Sequence, residues 1–332
     1  MTRDVKAATV ENMFRVHYKQ AVSTPRILRA FLIAVLAAPL MMGSACEKKT
    51  NKPTDTSAIN ALDRTGSNPG SAGVVATAVD TTPLKDVEVA RLDKDKQQSF
   101  YRLLGVLKSP CGKNESLRKS YDDTSCKRAP FAIRYVTTML EDEFPEDKVR
   151  EDYKAKYETP RLVKLDTSKA PRIGTDDAPV QIAEFYDYAC PHCKEFKSIL
   201  DALAQQFDGK LSIHYMQFPL GHWPESKSAA QAVIAASQQG KFKEMHALLF
   251  ARSPAHGRQD VMGYASQLGL DAAKFEASYT AAAKQVESDK IQGNTAGVES
   301  TPAVYFNNRK FEGPLTVKYL GLWIDEELAV NR

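Results

Sequence analysis

The passage from Val180 to Phe207 constrains this chain more than any other. Val180 to Tyr186 is an apolar-rich stretch of strand length, and Cys190-Pro191-His192-Cys193 follows almost at once. Phe196, Leu200, Leu203 and Phe207 then recur at the spacing of one helix face. A C-x-x-C at a strand-to-helix junction has a mechanical reason for each part. The first cysteine stands at the helix N-terminus, where free N–H groups and the helix dipole stabilise a thiolate. The second, buried one turn further in, is placed to attack a mixed disulfide formed by the first. Cys190 is thus the expected nucleophile and Cys193 the resolving thiol. Pro191 opens the helix without losing an N–H, and His192 adds a donor or a positive charge near the Cys190 sulfur. A structural zinc knuckle is the competing use of such a pair. Zinc normally needs a second closely spaced pair, and Cys111 and Cys126 lie too far apart to be one. No metal and no organic cofactor is expected.

The segments around this junction have a readable order. Leu211, Ile213 and Tyr215 mark a second strand, and helical patterns fill about residues 225–289, with Ala229, Ala230, Val233 and Ile234 in one and Phe242, Met245, Leu248 and Leu249 in the next. Ala303 to Phe306 reads as a third strand, turned by Asn307-Asn308 into a short fourth at Lys310-Phe311. A last helix carries Tyr319, Leu320, Trp323, Ile324 and Leu328. Strand–helix–strand, helical insertion, strand–strand–helix predicts an α/β chain with a thioredoxin-like fold over 170–332, interrupted by a helical subdomain. His214, His222, His246 and His256 share no metal-like spacing and read as surface or packing residues.

Several stretches together resemble the DsbA family of thiol–disulfide oxidoreductases. They are Glu184-Phe185-Tyr186-Asp187-Tyr188-Ala189 leading into the cysteine motif, Phe218-Pro219-Leu220, Gly240 to His246, and Gly297-Val298-Glu299-Ser300-Thr301-Pro302. The resemblance covers about 170–330, roughly half the chain. It implies that Pro302 follows a cis peptide bond and faces the cysteine pair, and that the main chain of Thr301 pairs with an extended substrate. It also places Glu184 where the family has a buried acid, able to take the Cys193 proton; a surface carboxylate at a strand end is the other reading. Two features depart from the family. Thr301 is not the residue before the proline in the best-known oxidants, and a helical region precedes the domain. The implied activity is disulfide formation or exchange in exported proteins, restored by an unnamed membrane redox partner. The same residues run in reverse would make a reductase or isomerase, and a client-binding chaperone module with structural cysteines is the non-enzyme alternative.

Residues 83–160 read as a small helical domain. Phe100, Leu103, Leu104 and Leu107 give one apolar stripe, and Ala132, Tyr135, Val136, Met139 and Leu140 give another, with Pro130 and Pro145 at helix starts. Cys111 and Cys126 bracket the polar loop between the stripes. A disulfide there would staple a small core, or act as a second redox couple.

Upstream, Arg3, Lys6, Arg15, Lys19, Arg26 and Arg29 lead into an apolar run from Phe31 to Met42, ending in Gly43-Ser44-Ala45-Cys46. A charged region, a short apolar stretch and small residues predict an export signal over 1–45. The run is too short for a retained span of roughly 17–25 residues, and Pro39 interrupts it. Met13 is an alternative start. The end of the run resembles a bacterial lipobox, though Gly43 stands where leucine is usual, so Cys46 is expected to carry lipid and anchor a periplasmic protein to the membrane; ordinary cleavage after Ala45 is the alternative. Residues 46–82 are rich in Thr, Ser, Asn, Gly, Ala and Pro and read as a flexible tether. With Cys46 assigned, the remaining four of the five cysteines divide into two pairs. The basic leader also holds the whole net charge of +4; beyond it 39 basic and 39 acidic side chains balance. No footprint for nucleic acid remains.

Overall fold

A computed structural model describes residues 79–331. The export signal, Cys46 and most of the tether lie outside the described residues. The helical region comes first: α1 (Lys94–Val106), α2 (Leu117–Asp122), α3 (Ala129–Glu141) and α4 (Glu146–Tyr153), the last continued by a π-helical stretch over Lys154–Glu158. Asp93 and Ser116 cap α1 and α2 by accepting N–H groups of the first turn. Pro130 lies in the first turn of α3, whereas Pro145 is one place earlier in α4, as its N-cap. The stripes on α1 and α3 are buried as their spacing predicts. Cys111 and Cys126 are joined by a disulfide, Cα–Cα 5.7 Å, that ties the loop after α1 to the turn before α3.

The second part is a five-stranded mixed sheet in the order β1-β3-β2-β4-β5. Its strands are β1 (Arg172–Ile173), β2 (Val180–Tyr186), β3 (Leu211–Gln217), β4 (Ala303–Phe306) and β5 (Arg309–Lys310). β2 and β3 run parallel, joined by the crossover helix α5 (Pro191–Gln206), and β4 returns antiparallel to β2. Between β3 and β4 the chain inserts α6 (Ser226–Ser237), α7 (Phe242–Arg252), α8 (Arg258–Gln267) and α9 (Ala272–Ala296). α10 (Val317–Val330) closes the domain. Both middle strands are almost wholly buried, as expected when helices cover the two faces of a parallel pair. Gly297 ends α9 at φ +76°, and the Arg161 guanidinium lies where a side chain there would project.

Two observations join the parts. First, residues 161–163 run along the outer side of β5: Val163 N–H donates to the Asn308 oxygen (2.9 Å), Lys310 N–H donates to the Arg161 oxygen (3.0 Å), and Leu162 bridges Arg309. Second, α10 is shared. Tyr135 and Phe144 of the helical region stack edge-on with Tyr319. Lys156, 1% exposed, sits 2.9 Å from the Glu326 carboxylate and 3.7 Å over the Trp323 ring. Tyr157 donates to Glu326 (2.8 Å), Arg128 bridges Glu326 and Glu327, and Arg309 reaches Glu327 (2.6 Å). Apolar side chains from both parts form one continuous core.

Candidate redox site

Cys190 is the N-cap of α5, in extended conformation, and Pro191 is the first helical residue. An N-terminal helix position leaves N–H groups without intrahelical acceptors, and they point at the sulfur. The Cys190 pKa falls from the usual 9.0 to about 5. The Cys193 thiol donating to the Cys190 sulfur is the largest cause, with the Thr301 side chain and the N–H groups of Cys193 and His192 adding to it against burial. The buried Thr301 side chain acts on both sulfurs. Cys193 is wholly buried, and burial pushes its thiol far above the ordinary range. The two sulfurs therefore differ in role by environment alone: one is held as a thiolate, the other as a thiol.

Thr301–Pro302 is a cis peptide, and the loop carrying it lies against the pair, with the Cys190 thiol 3.4 Å from the Thr301 oxygen. Cys190 itself is only 4% exposed, so its accessible surface is confined to a small opening. His192 is exposed; its contribution to the thiolate comes from its main-chain N–H, not from a ring contact. Glu184 lies mid-strand in β2, between Tyr215 of β3 and Val304 of β4, and is 2% exposed. Burial raises its pKa to about 8, helped by the negative charges of Asp201 and Cys190 and opposed by Lys197. The structure thus brings together Cys190, Pro191, Cys193, Glu184, Thr301 and Pro302. Cys111–Cys126 belongs to the helical region.

Some features near the site are not apparent from the cysteine motif. Tyr188 bonds Tyr186 (2.9 Å) and the His246 ring nitrogen Nδ1 (2.8 Å), tying the cysteine turn to α7. Burial drives His246 to about 3, so it is a neutral structural partner, as its lack of metal-like spacing suggests. His214 and His256 are buried as well, whereas His222 is exposed. Asp187 is buried between β2 and the cysteines. Its signal in the sequence is an Asp two residues before a turn N–H, the Asx-turn spacing. Among the described residues no cluster of three or more His, Cys, Asp or Glu is arranged to hold a metal, and no helix is long and apolar enough to cross a membrane.

Residues 166–326 match the model of the Thioredoxin family. Among curated proteins, the chain is 32% identical over 146 residues to Na(+)/H(+) antiporter NhaA 1 of Mycobacterium sp. (strain KMS), covering 42% of this chain and 24% of that protein. It is 32% identical over 142 residues to Na(+)/H(+) antiporter NhaA of Herminiimonas arsenicoxydans, covering 42% and 22%. The matched part thus spans about a quarter of the length of these relatives. Among solved structures, BdbD from Bacillus subtilis aligns at 24% identity and TM-score 0.47 over 51% of this chain and 98% of that one. The thiol-disulfide exchange protein alpha-DsbA2 from Wolbachia pipientis aligns at 22% identity and TM-score 0.44, over 54% and 96%. The sequence match over 166–326 and the interrupted strand order agree on a thioredoxin-like fold for this region, with helices inserted between its two halves.

Proposed function

We propose that this chain is an exported thiol–disulfide oxidoreductase, held at the membrane by lipid on Cys46, that forms or exchanges disulfides in other exported proteins through Cys190 and Cys193. The observation that carries this reading is the division of the pair: a thiolate-favouring Cys190 at a helix N-terminus against a buried, protonated Cys193. In the oxidising direction a substrate thiolate attacks the Cys190 sulfur of the Cys190–Cys193 disulfide. The substrate–Cys190 bond forms, the Cys190–Cys193 bond breaks, and Cys193 leaves with a proton from Glu184, whose pKa lies close enough to exchange one near neutrality. A second substrate thiolate then attacks the substrate sulfur, releasing oxidised substrate and the Cys190 thiolate. Two electrons have passed to the pair, and a membrane redox partner must remove them. A stable thiolate is a good leaving group, so the low Cys190 pKa favours donation over reduction. Thr301 and Pro302 flank the route, where the Thr301 main chain offers an edge to an extended peptide.

Trapping tests the reading. Cys193→Ala removes the intramolecular escape from the mixed disulfide. Non-reducing gels of expressing cells are expected to show higher-mass adducts that disappear on reduction and are absent when Cys190 is also replaced. Equal adducts in both variants would move the chemistry to another cysteine.

A further inference from the structure

Asp187 stands between β2 and the cysteine turn and is 2% exposed. Its Oδ1 accepts the Ala189 N–H at 2.9 Å, its Oδ2 accepts the Leu220 N–H at 2.6 Å, and its main-chain oxygen accepts the Cys190 N–H at 3.1 Å. Its own N–H draws the Cys193 thiol down, against the larger effect of burial. An Asx turn explains the bond to Ala189, two residues on, and needs one oxygen only. It does not explain the second oxygen, which reaches the loop leading from β3 into α6, the entry to the inserted helices. One carboxylate thus joins the main chain beside Cys190 to the main chain of that loop. Burial pushes its pKa up, the Ser226 side chain at the start of α6 and then the Leu220 and Ala189 N–H groups draw it back, and the charge on Cys190 pushes it up again. The last effect is mutual, because two like charges oppose each other equally.

We propose that Asp187 is a positioning residue for disulfide exchange, clamping the Cys190 turn to the Leu220 loop so that the inserted helices set how a peptide thiol approaches the sulfur. The proposal rests on the redox reading above and adds a part to it. Asp187→Asn keeps the shape, removes the charge and presents an NH2 group where one of the two N–H donors needs an acceptor, so one arm of the clamp opens. Asp187→Ser provides a second route: its hydroxyl can still accept from Ala189 but is too short to hold Leu220 as well.

In the full chain, thiolate absorbance across a pH series is expected to show a lower Cys190 midpoint in either variant. The thiolate-to-thiol ratio at fixed pH should rise about three- to tenfold once the opposing charge is gone. Exchange with a cysteine-containing peptide should slow by about tenfold relative to exchange with dithiothreitol, because only the peptide uses the positioned approach. A residue that merely supports the fold would lower the melting temperature without moving either the midpoint or the peptide-to-dithiothreitol ratio. Folded variants that keep both at the wild-type values overturn the proposal. A wild-type chain that exchanges with neither reagent overturns the redox reading itself, which separates the two failures.

Discussion

Cys190 and Cys193 are chemically identical side chains one helical turn apart, and the fold holds them on opposite sides of neutrality. The neighbouring Cys193 thiol, with Thr301 and the helix N–H groups, lowers one, and enclosure raises the other. Glu184 shows the same logic for a carboxyl. Below its unfolded value near 4.5 the acid is protonated in both states, and burial carries no ionic penalty. As pH rises through about 8 the folded protein must bury the charge, while the unfolded chain ionises freely. Replacing Glu184 with Gln is therefore expected to leave stability almost unchanged at pH 4 and to raise it by roughly 2–4 kcal/mol at pH 8.5. Denaturant unfolding at both pH values checks this, and an equal gain at both would contradict the buried-acid account. The contrast between the two sulfurs can be read from the spacing alone, because helix geometry dictates what each position experiences. Asp187 could not be read so fully. Its first hydrogen bond is local, but its second acceptor role depends on where a loop thirty-three residues away returns.

At the scale of elements, the disulfide of the helical region is set apart from the reactive pair by its surroundings. Cys111 and Cys126 bracket α2 and its flanking turns, and neither heads a helix as Cys190 does. Replacing both by Ala is expected to lower stability by about 2–5 kcal/mol, while alkylation of Cys190 proceeds at its former rate. Loss of turnover with the fold and Cys190 reactivity intact would make the pair a relay. The main strands and helices were legible because each long element carries its own period. The exceptions are the short ones. β1 has two residues, too few for an alternation to register. The last strand begins at Arg309 and not Lys310, because Asn307 and Asn308 both take positive φ and form a two-residue turn that sets Arg309 directly opposite Phe306. A polar Asn pair announces such a turn, but the pairing register depends on the turn's type.

For the molecule as a whole, the ion cluster on α10 decides how the helical region and the sheet domain behave together. Burial pushes Glu326 up, but Lys156 and Arg128 more than reverse it, so the carboxylate stays charged in the interior. Removing one partner of a buried pair leaves the other uncompensated, at about 3–5 kcal/mol. Wild-type protein is expected to unfold in one transition, since one core runs through both parts. Glu326→Ala should split it, with protease cutting α1–α4 before the sheet domain melts; a single unshifted transition would sink the idea. None of this coupling was visible in the apolar stripes. A stripe says which face of a helix is covered but not by what, and Lys156 lies in a charged stretch, Lys154-Ala155-Lys156, that reads as solvated. The stretch over 161–163 carries a related consequence. It occupies the hydrogen-bonding edge of β5, and β1 at the opposite edge is only two residues long. Bare edges are where sheets add strands from other chains, so residues 161–163 also close an edge that would otherwise stand open.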